Sequence, residues 1–390
     1  MYSGQIAARD TLQFSLLTCA PGEQVYELFG HTAIRCRNLT TGMDVVFNYG
    51  VFDFNAPNFV MRFVRGETDY QLGVVPYPYF EYSYRERGSG VVEQQLALTE
   101  SEASRLMNML QVNYLPQNRV YRYNYFYDNC TTRARDCIER TLGSPVVYHV
   151  EADSGMTFRS WIKQYTEGHP WADFGINLCL GAEADTPIDA RMQMFLPDNL
   201  QKAFAGAVIQ DSVGRKLLSG EREIFSSSGK NISPAGEKMT PMQVAFSLLI
   251  LVVVSCWIEY RRRRVWWGID LVLFFLQGVA GCVIAFLFFF SAHPTVGSNW
   301  LLIFLNPLPL LFLPFMIWKI RKGEKSLFDK ANIAVLTLFI LFLPLIPQKI
   351  SLVIVPLALI LLLRSLLHLL VVRARKGDTV LMKFGKIKVK

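Results

Sequence analysis

The segment YFYDNCTTR, residues 125–133, holds the side chain best suited to covalent chemistry, Cys130. Asp128 or Asn129 can cap a helix that opens at Cys130, and free backbone N–H groups and the positive dipole end favour a thiolate in a first helical turn. The same N–H groups can hold the oxyanion of a tetrahedral intermediate. Arg133 and Arg135 add positive charge nearby. A buried structural cysteine is the competing reading, because cysteine is among the most buried residue types.

A thiol nucleophile needs a base within hydrogen-bond reach, and imidazole titrates in the right range. Residues 1–240 contain three histidines, His31, His149 and His169. His31 starts an extended segment directly after Phe29-Gly30, whereas His149 and His169 sit in polar stretches and receive no role. Asn48, on the next extended segment, can orient the imidazole as the third member of a triad. Tyr49 and Asp53 are rivals for that part. Arg62, Arg65, Arg85 and Arg87 are candidates for phosphate contact, with a solvated surface as the alternative for each.

The elements that must position these residues follow from periodicity and punctuation. A short helix is expected over 21–29, ending at Gly30. Residues 31–37 and 44–49 read as strands joined by the Asn38–Gly42 turn, giving a hairpin that carries His31 and Asn48. Further strands are expected over 69–75 and 91–96. Thr99 with Glu102 forms a capping-box pattern opening a helix to about Val112. Residues 121–127 alternate tyrosine with other residues at strand period, and a helix follows from Cys130 to Arg140. Residues 151–225 are mixed and end in a helix over 200–208. The fold class expected for this part is α+β with a mainly antiparallel sheet.

The second half is different. The chain of 390 residues is 51% hydrophobic, with a mean hydropathy of +0.24, but the apolarity is concentrated in 242–372. Five stretches, near 242–259, 267–290, 299–318, 331–347 and 351–372, have roughly the 20 residues a bilayer crossing needs. Sixteen basic residues flank them on one side against Lys349 on the other. By the positive-inside rule the rich side, including the C-terminus, is cytoplasmic and residues 1–240 are outside. Trp266, Trp267, Trp300 and Trp318 lie near span ends. Asp270, Arg364 and His368 fall within or near spans; the preferred reading puts Asp270 at a span end and lets Arg364 snorkel. The expected domains are 1–225 (catalytic), 226–240 (linker), 241–372 (membrane) and 373–390 (basic tail).

The formal charge of +8 reads as this topology signal and not as a nucleic-acid surface. The seven cysteines lack CxxC spacing, which argues against zinc. The five in the soluble part are an odd number, so at least one is unpaired unless it bonds another chain. A lipoprotein cleavage site at Leu16–Cys19 is rejected for want of a preceding apolar region. A signal peptide upstream of the present start is expected.

Strand-borne His, strand-borne polar residue and a later helix-borne Asn-Cys resemble the circularly permuted papain-like fold of lecithin:retinol acyltransferase-like enzymes. LTCAPG (17–22), FGHTAIR (29–35), FNYGVFDF (47–54), FVRG (63–66), YRY (121–123), DNCTTR (128–133) and MFLPD (194–198) resemble, more closely, the Lnb lipoprotein N-acyltransferase family of Bacteroidetes. That resemblance implies a periplasmic catalytic domain on a membrane domain in the cytoplasmic membrane. It implies a phospholipid acyl donor, a Cys130 thioester, and the α-amine of a diacylglyceryl-cysteine lipoprotein as acceptor. Cys130, His31 and Asn48 would be catalytic, and Tyr49, Asn129, Arg133 and Arg65 substrate-binding. No metal or cofactor is implied. The alternative function is a membrane-anchored cysteine amidase or peptidase acting on the cell wall.

Overall fold

The computed structural model describes residues 11–52, 57–150, 154–227 and 239–387. Asp53 and most of the expected linker lie outside the described residues. The chain forms two compact units: Met1–Gly168 with Thr186–Ala235, and His169–Asp185 with Gly236–Lys390.

The first unit is built on an antiparallel sheet of β1 (Leu12–Cys19), β2 (His31–Asn38), β3 (Asp44–Val51), β4 (Asp69–Pro76), β5 (Val91–Leu96) and β6 (Val120–Arg122). A two-stranded ribbon pairs β7 (Val146–Val147) with β8 (Val208–Ile209), and β9 (Leu218–Phe225) completes the main sheet. The strand order is β6-β4-β3-β2-β1-β5-β9. The helices are α1 (Phe59–Val64), α2 (Tyr77–Arg87), α3 (Glu100–Tyr114), α4 (Cys130–Thr141) and α5 (Phe158–Tyr165). After α6 (Pro170–Cys179), which belongs to the second unit, come α7 (Ala190–Gln193) and α8 (Pro197–Ala205).

The pleat sends alternate residues of the central strands to opposite faces. Phe14, Leu16, Ile34, Cys36 and Phe47 pack with α3, α4 and α8. Leu17, Cys19, Ala33 and Val46 pack with Tyr77 and Phe80 of α2. On this second face Arg35 is buried, paired with Asp44 and Glu93 and lying 3.2 Å from the centre of the Tyr77 ring.

The hairpin carrying His31 and Asn48 forms as expected, as do β4, β5 and α3, whose Thr99–Glu102 capping box closes. A single 3-10 turn, Val25–Glu27, replaces the helix expected over 21–29. The aromatic strand expected over 121–127 lasts only three residues. Asn124 then closes a turn by accepting from the N–H groups of Phe126 and Tyr127 and bridging Asp128 through the backbone. The alternation is reversed there: Phe126 is buried and Tyr127 exposed.

The second unit contains α9 (Pro241–Arg261), α10 (Trp267–Phe290), α11 (Leu308–Lys322, preceded by the Trp300–Ile303 turn), α12 (Leu327–Phe342) and α13 (Ile354–Ile387). Five spans in them are long and apolar enough to cross a membrane. Trp267, Trp300 and Trp318 are exposed near their ends, as interfacial aromatics are. At Gly281 an added Cβ would stand 2.2 Å from the backbone of Asn306, so a glycine lets that segment close against α10.

Arg364 does not snorkel. It is 1% exposed, with Asp270 at 2.7 and 2.8 Å and Glu259 also hydrogen-bonded to it. His368 is buried against Asp329. A charge in an apolar interior demands a partner, and Glu259 on α9, not weighed in the sequence reading, supplies the second carboxylate. Residues 169–185, read from sequence as part of 1–225, are tied into this unit by Asn299 Nδ2 donating to the Leu178 carbonyl and Gln348 Nε2 to the Leu180 carbonyl.

Candidate active site

Helix α4 opens at Cys130 because Asn129 caps it. Asn129 Oδ1 accepts from the N–H groups of Thr131 (2.8 Å) and Thr132 (2.9 Å), and Thr132 Oγ1 accepts from the Asn129 N–H at 2.9 Å. Asn129 Nδ2 donates to the carbonyls of Tyr125 and Phe195. All polar positions of this buried side chain are therefore engaged, and it anchors the helix start without an atom left for a substrate. The cap also commits two of the first-turn N–H groups expected to serve an oxyanion. Arg133 N–H bonds the Asn129 carbonyl, which leaves the N–H of Cys130 itself.

His31 begins β2 after Gly30, whose φ is +71° and where a Cβ would come 2.6 Å from the Cys19 carbonyl oxygen. Only glycine meets both demands. Asn48 on β3 accepts from His31 Nε2 at 3.3 Å. An acceptor on Nε2 fixes the proton there in the neutral ring and turns the Nδ1 lone pair toward the remaining partner. Cys130 is the group whose charge and hydrogen bonding raise the His31 imidazole most, and His31 is the group that most lowers the Cys130 thiol. Cys130 packs beside Gly50, in the irregular stretch of β3 between Asn48 and Val51, where the backbone angle and not a collision calls for glycine. The Gly50 φ is +89°, and a Cβ there would lie 3.6 Å from Cys130 Cβ.

The electrostatics separate Cys130 from the other cysteines. Burial by itself raises its thiol. The charge of His31, the hydrogen bond from it, the N–H of Thr32 and the Thr131 hydroxyl outweigh burial, and the thiol falls from 9.0 to about 7. Thr131 Oγ1 stands 3.8 Å from the sulfur and 3.1 Å from Thr32 Oγ1. Burial lowers the His31 imidazole, but the Cys130 charge, its hydrogen bond and Asn48 together leave it above 6.5. Burial raises the thiols of Cys19, Cys36, Cys137 and Cys179. All seven cysteines are free.

Two family models match the chain: the Lnb N-terminal periplasmic domain over residues 4–164 and the Lnb transmembrane domain over 233–376. The chain belongs to the Lnb family. It is thus a membrane protein whose N-terminal part is the periplasmic domain of that family, followed by its five-span membrane domain. No curated protein and no solved structure matches it.

In this Lnb protein the remaining site expectations divide. Tyr49, next to Asn48, points to the opposite face, where its hydroxyl meets Cys137 Sγ at 3.2 Å and accepts from Asn113 Nδ2 at 2.8 Å. It is 1% exposed, and its hydroxyl is engaged away from His31, while the residue itself also borders the cleft beside His31. Arg133 forms a two-pronged pair with Asp128 at 2.6 and 2.7 Å and lies 3.5 Å from the centre of the Tyr121 ring. Arg65 closes α1 at the surface and pairs with Glu67 at 3.0 Å. Among the described residues no group of three or more His, Cys, Asp or Glu is arranged to hold a metal ion.

Beside His31 and Asn48 opens a cleft of ≈ 340 Å³ whose walls include Gly50, Tyr79, Tyr84 and Arg87. Cys130 lies just off this wall and is 9% exposed. Sequence reasoning missed Thr32, Thr131 and Tyr84 at the site. The glycine directly after Asn48-Tyr49 was the legible sign of the irregularity in β3.

Proposed function

We propose that this Lnb protein is a thiol-dependent N-acyltransferase. It moves an acyl chain from a membrane phospholipid, through a Cys130 thioester, to the α-amine of a diacylglyceryl-cysteine lipoprotein. The observation that carries this reading is the coupling of Cys130, at a capped helix N-terminus with its thiol at about 7, to a His31 oriented by Asn48. Family membership supports the choice of substrates.

His31 Nδ1 takes the Cys130 proton, and the thiolate attacks the donor ester carbonyl. The oxyanion rests on the Cys130 N–H and the positive end of α4. As the intermediate collapses, the C–O bond breaks and His31 passes the proton to the departing lysophospholipid. The lipoprotein amine then attacks the thioester. His31 accepts the amine proton and returns it to the sulfur, so thiol, amide and lysophospholipid are the products and the enzyme is regenerated. The positive-inside pattern supports a cytoplasmic C-terminus, and five crossings then agree with a catalytic unit on the periplasmic side of the cytoplasmic membrane.

The test is to incubate the purified full-length protein with phospholipid vesicles and a synthetic diacylated lipopeptide. Mass spectrometry of the lipopeptide is expected to find one added acyl chain on the amine and an equal yield of lysophospholipid. Cleavage of a cell-wall peptide with no acylated lipopeptide would move the assignment to an amidase.

A further inference from the structure

The cleft beside His31 has a composition that the three-residue site does not use. Val51, Val75, Tyr79 and Phe80 give it apolar walls. Tyr79 is 73% and Val51 38% exposed, and apolar side chains left open to water around a concave site mark a place for an apolar ligand. Among the described residues Arg87 is the single arginine or lysine lining the cleft. It ends α2, where Gly88 at φ +70° turns the chain away. Its guanidinium is half exposed, 3.0 Å from a Glu27 oxygen and 5.2 Å from the centre of the Tyr84 ring. Its charge is felt at both His31 and Cys19, cross-strand neighbours at the ends of β2 and β1.

An arginine at the mouth of an apolar cleft next to a nucleophile–base pair fits one ligand chemistry: a phosphodiester joined to an acyl ester. The guanidinium fork matches two phosphate oxygens, and the walls take the aliphatic chain. Arg62, Arg65 and Arg85, the other arginines with this potential, are paired with Asp69, Glu67 and Glu81 and do not line the cleft.

We propose that Arg87 recognises the donor's headgroup phosphate and so holds the ester beside Cys130. This rests on the acyl-transfer reading above. Phosphate binding displaces the mostly buried Glu27 carboxylate from the half-exposed guanidinium and exchanges one anionic partner for another. The recognition is ionic and geometric, so lysine at this position keeps charge but loses the fork.

The experiment compares acylation of Cys130 in the full-length protein by dioleoyl phosphatidylethanolamine and by p-nitrophenyl oleate, which carries the same acyl chain without phosphate. Arg87→Ala is expected to lower kcat/KM for the phospholipid by about tenfold more than for the activated ester, chiefly through KM. Arg87→Lys falls between. Glu27→Gln breaks the same ion pair while keeping the cation, and it retains phospholipid use. Equal losses with both donors, or a Glu27→Gln variant as impaired as Arg87→Ala, would overturn the assignment by making Arg87 a strut. A wild-type protein that accepts oleate from neither donor would instead remove the acyl-transfer reading itself.

Discussion

Asn48 Oδ1 sits 3.3 Å from His31 Nε2, a contact between adjacent strands of one hairpin. The Asn48 side chain, held on the neighbouring strand, therefore sets which imidazole nitrogen carries the proton before any substrate arrives. Asn48→Ala is expected to lower acyl transfer about tenfold or more, because the ring loses its preferred tautomer and orientation. The decrease appears in kcat, read from lysophospholipid release, with the fold unchanged by circular dichroism. Wild-type turnover in this variant would deny Asn48 the orienting role.

The thiol at about 7 has a direct chemical readout. The alkylation rate of Cys130 by iodoacetamide, followed on its own peptide, should rise through an inflection near that pH and not near 9.0. In His31→Ala the cation and its hydrogen bond are gone while burial remains, so the inflection moves upward. An inflection that stays put in the variant would mean that His31 does not set the thiolate.

Asn129 secures both the helix start and its anchorage to Phe195. Asn129→Ala removes a cap worth about 1–2 kcal/mol and leaves two buried carbonyls short of a donor. Thermal unfolding of the full-length protein in detergent should show a lower Tm, with Cys130 alkylation slowed at neutral pH. A Tm equal to wild type would contradict the role given to this side chain.

Two glycines with similar backbone angles separate strain from collision. Gly42 has φ +76° with nothing within 4 Å of an added Cβ, whereas Gly30 at φ +71° faces the Cys19 carbonyl at 2.6 Å. Gly42→Ala should cost about 1 kcal/mol, and Gly30→Ala more than that, with loss of activity because β2 must shift at His31. Equal Tm changes would refute the collision.

In the membrane unit, Arg364 stands between Glu259 and Asp270 with no exposure of the charged groups beyond a few per cent. Arg364→Met leaves two buried carboxylates unpaired, a loss of about 3–5 kcal/mol. Adding Glu259→Gln and Asp270→Asn removes the orphaned charges and should restore most of the thermal stability. A triple variant no better than the single one would mean that the network is not held by charge balance.

Much of this was legible in the sequence, and for definite reasons. His31, Asn48 and Cys130 stood out because each is a reactive or orienting type at a boundary between elements, and boundaries are marked by glycine, turn residues and caps. The five spans stood out because a bilayer imposes a length. β1 did not, although it is a central strand: buried on both faces, it reads as the short apolar run FSLL, without the alternation that marks a half-buried strand. β9 hid for the opposite reason, as a charged and exposed edge. The neighbours that hold the Tyr49 hydroxyl and the Arg133 guanidinium, Cys137 with Asn113 and Asp128, could not be read because sequence distance does not tell which face of the pleat or which neighbour claims a side chain. Arg364 was misjudged because Glu259 is 105 residues away, and no local pattern pairs them.

The most direct test of the account is whether Cys130 becomes acylated. The full-length protein is incubated with phospholipid and no acceptor, then digested and examined by mass spectrometry. The account predicts a hydroxylamine-labile acyl group on the Cys130 peptide, greatly reduced in His31→Ala and discharged when a diacylated lipopeptide is added. Transfer to the lipopeptide by a Cys130→Ala protein, or an acyl group found on another residue while Cys130 stays free, would contradict it.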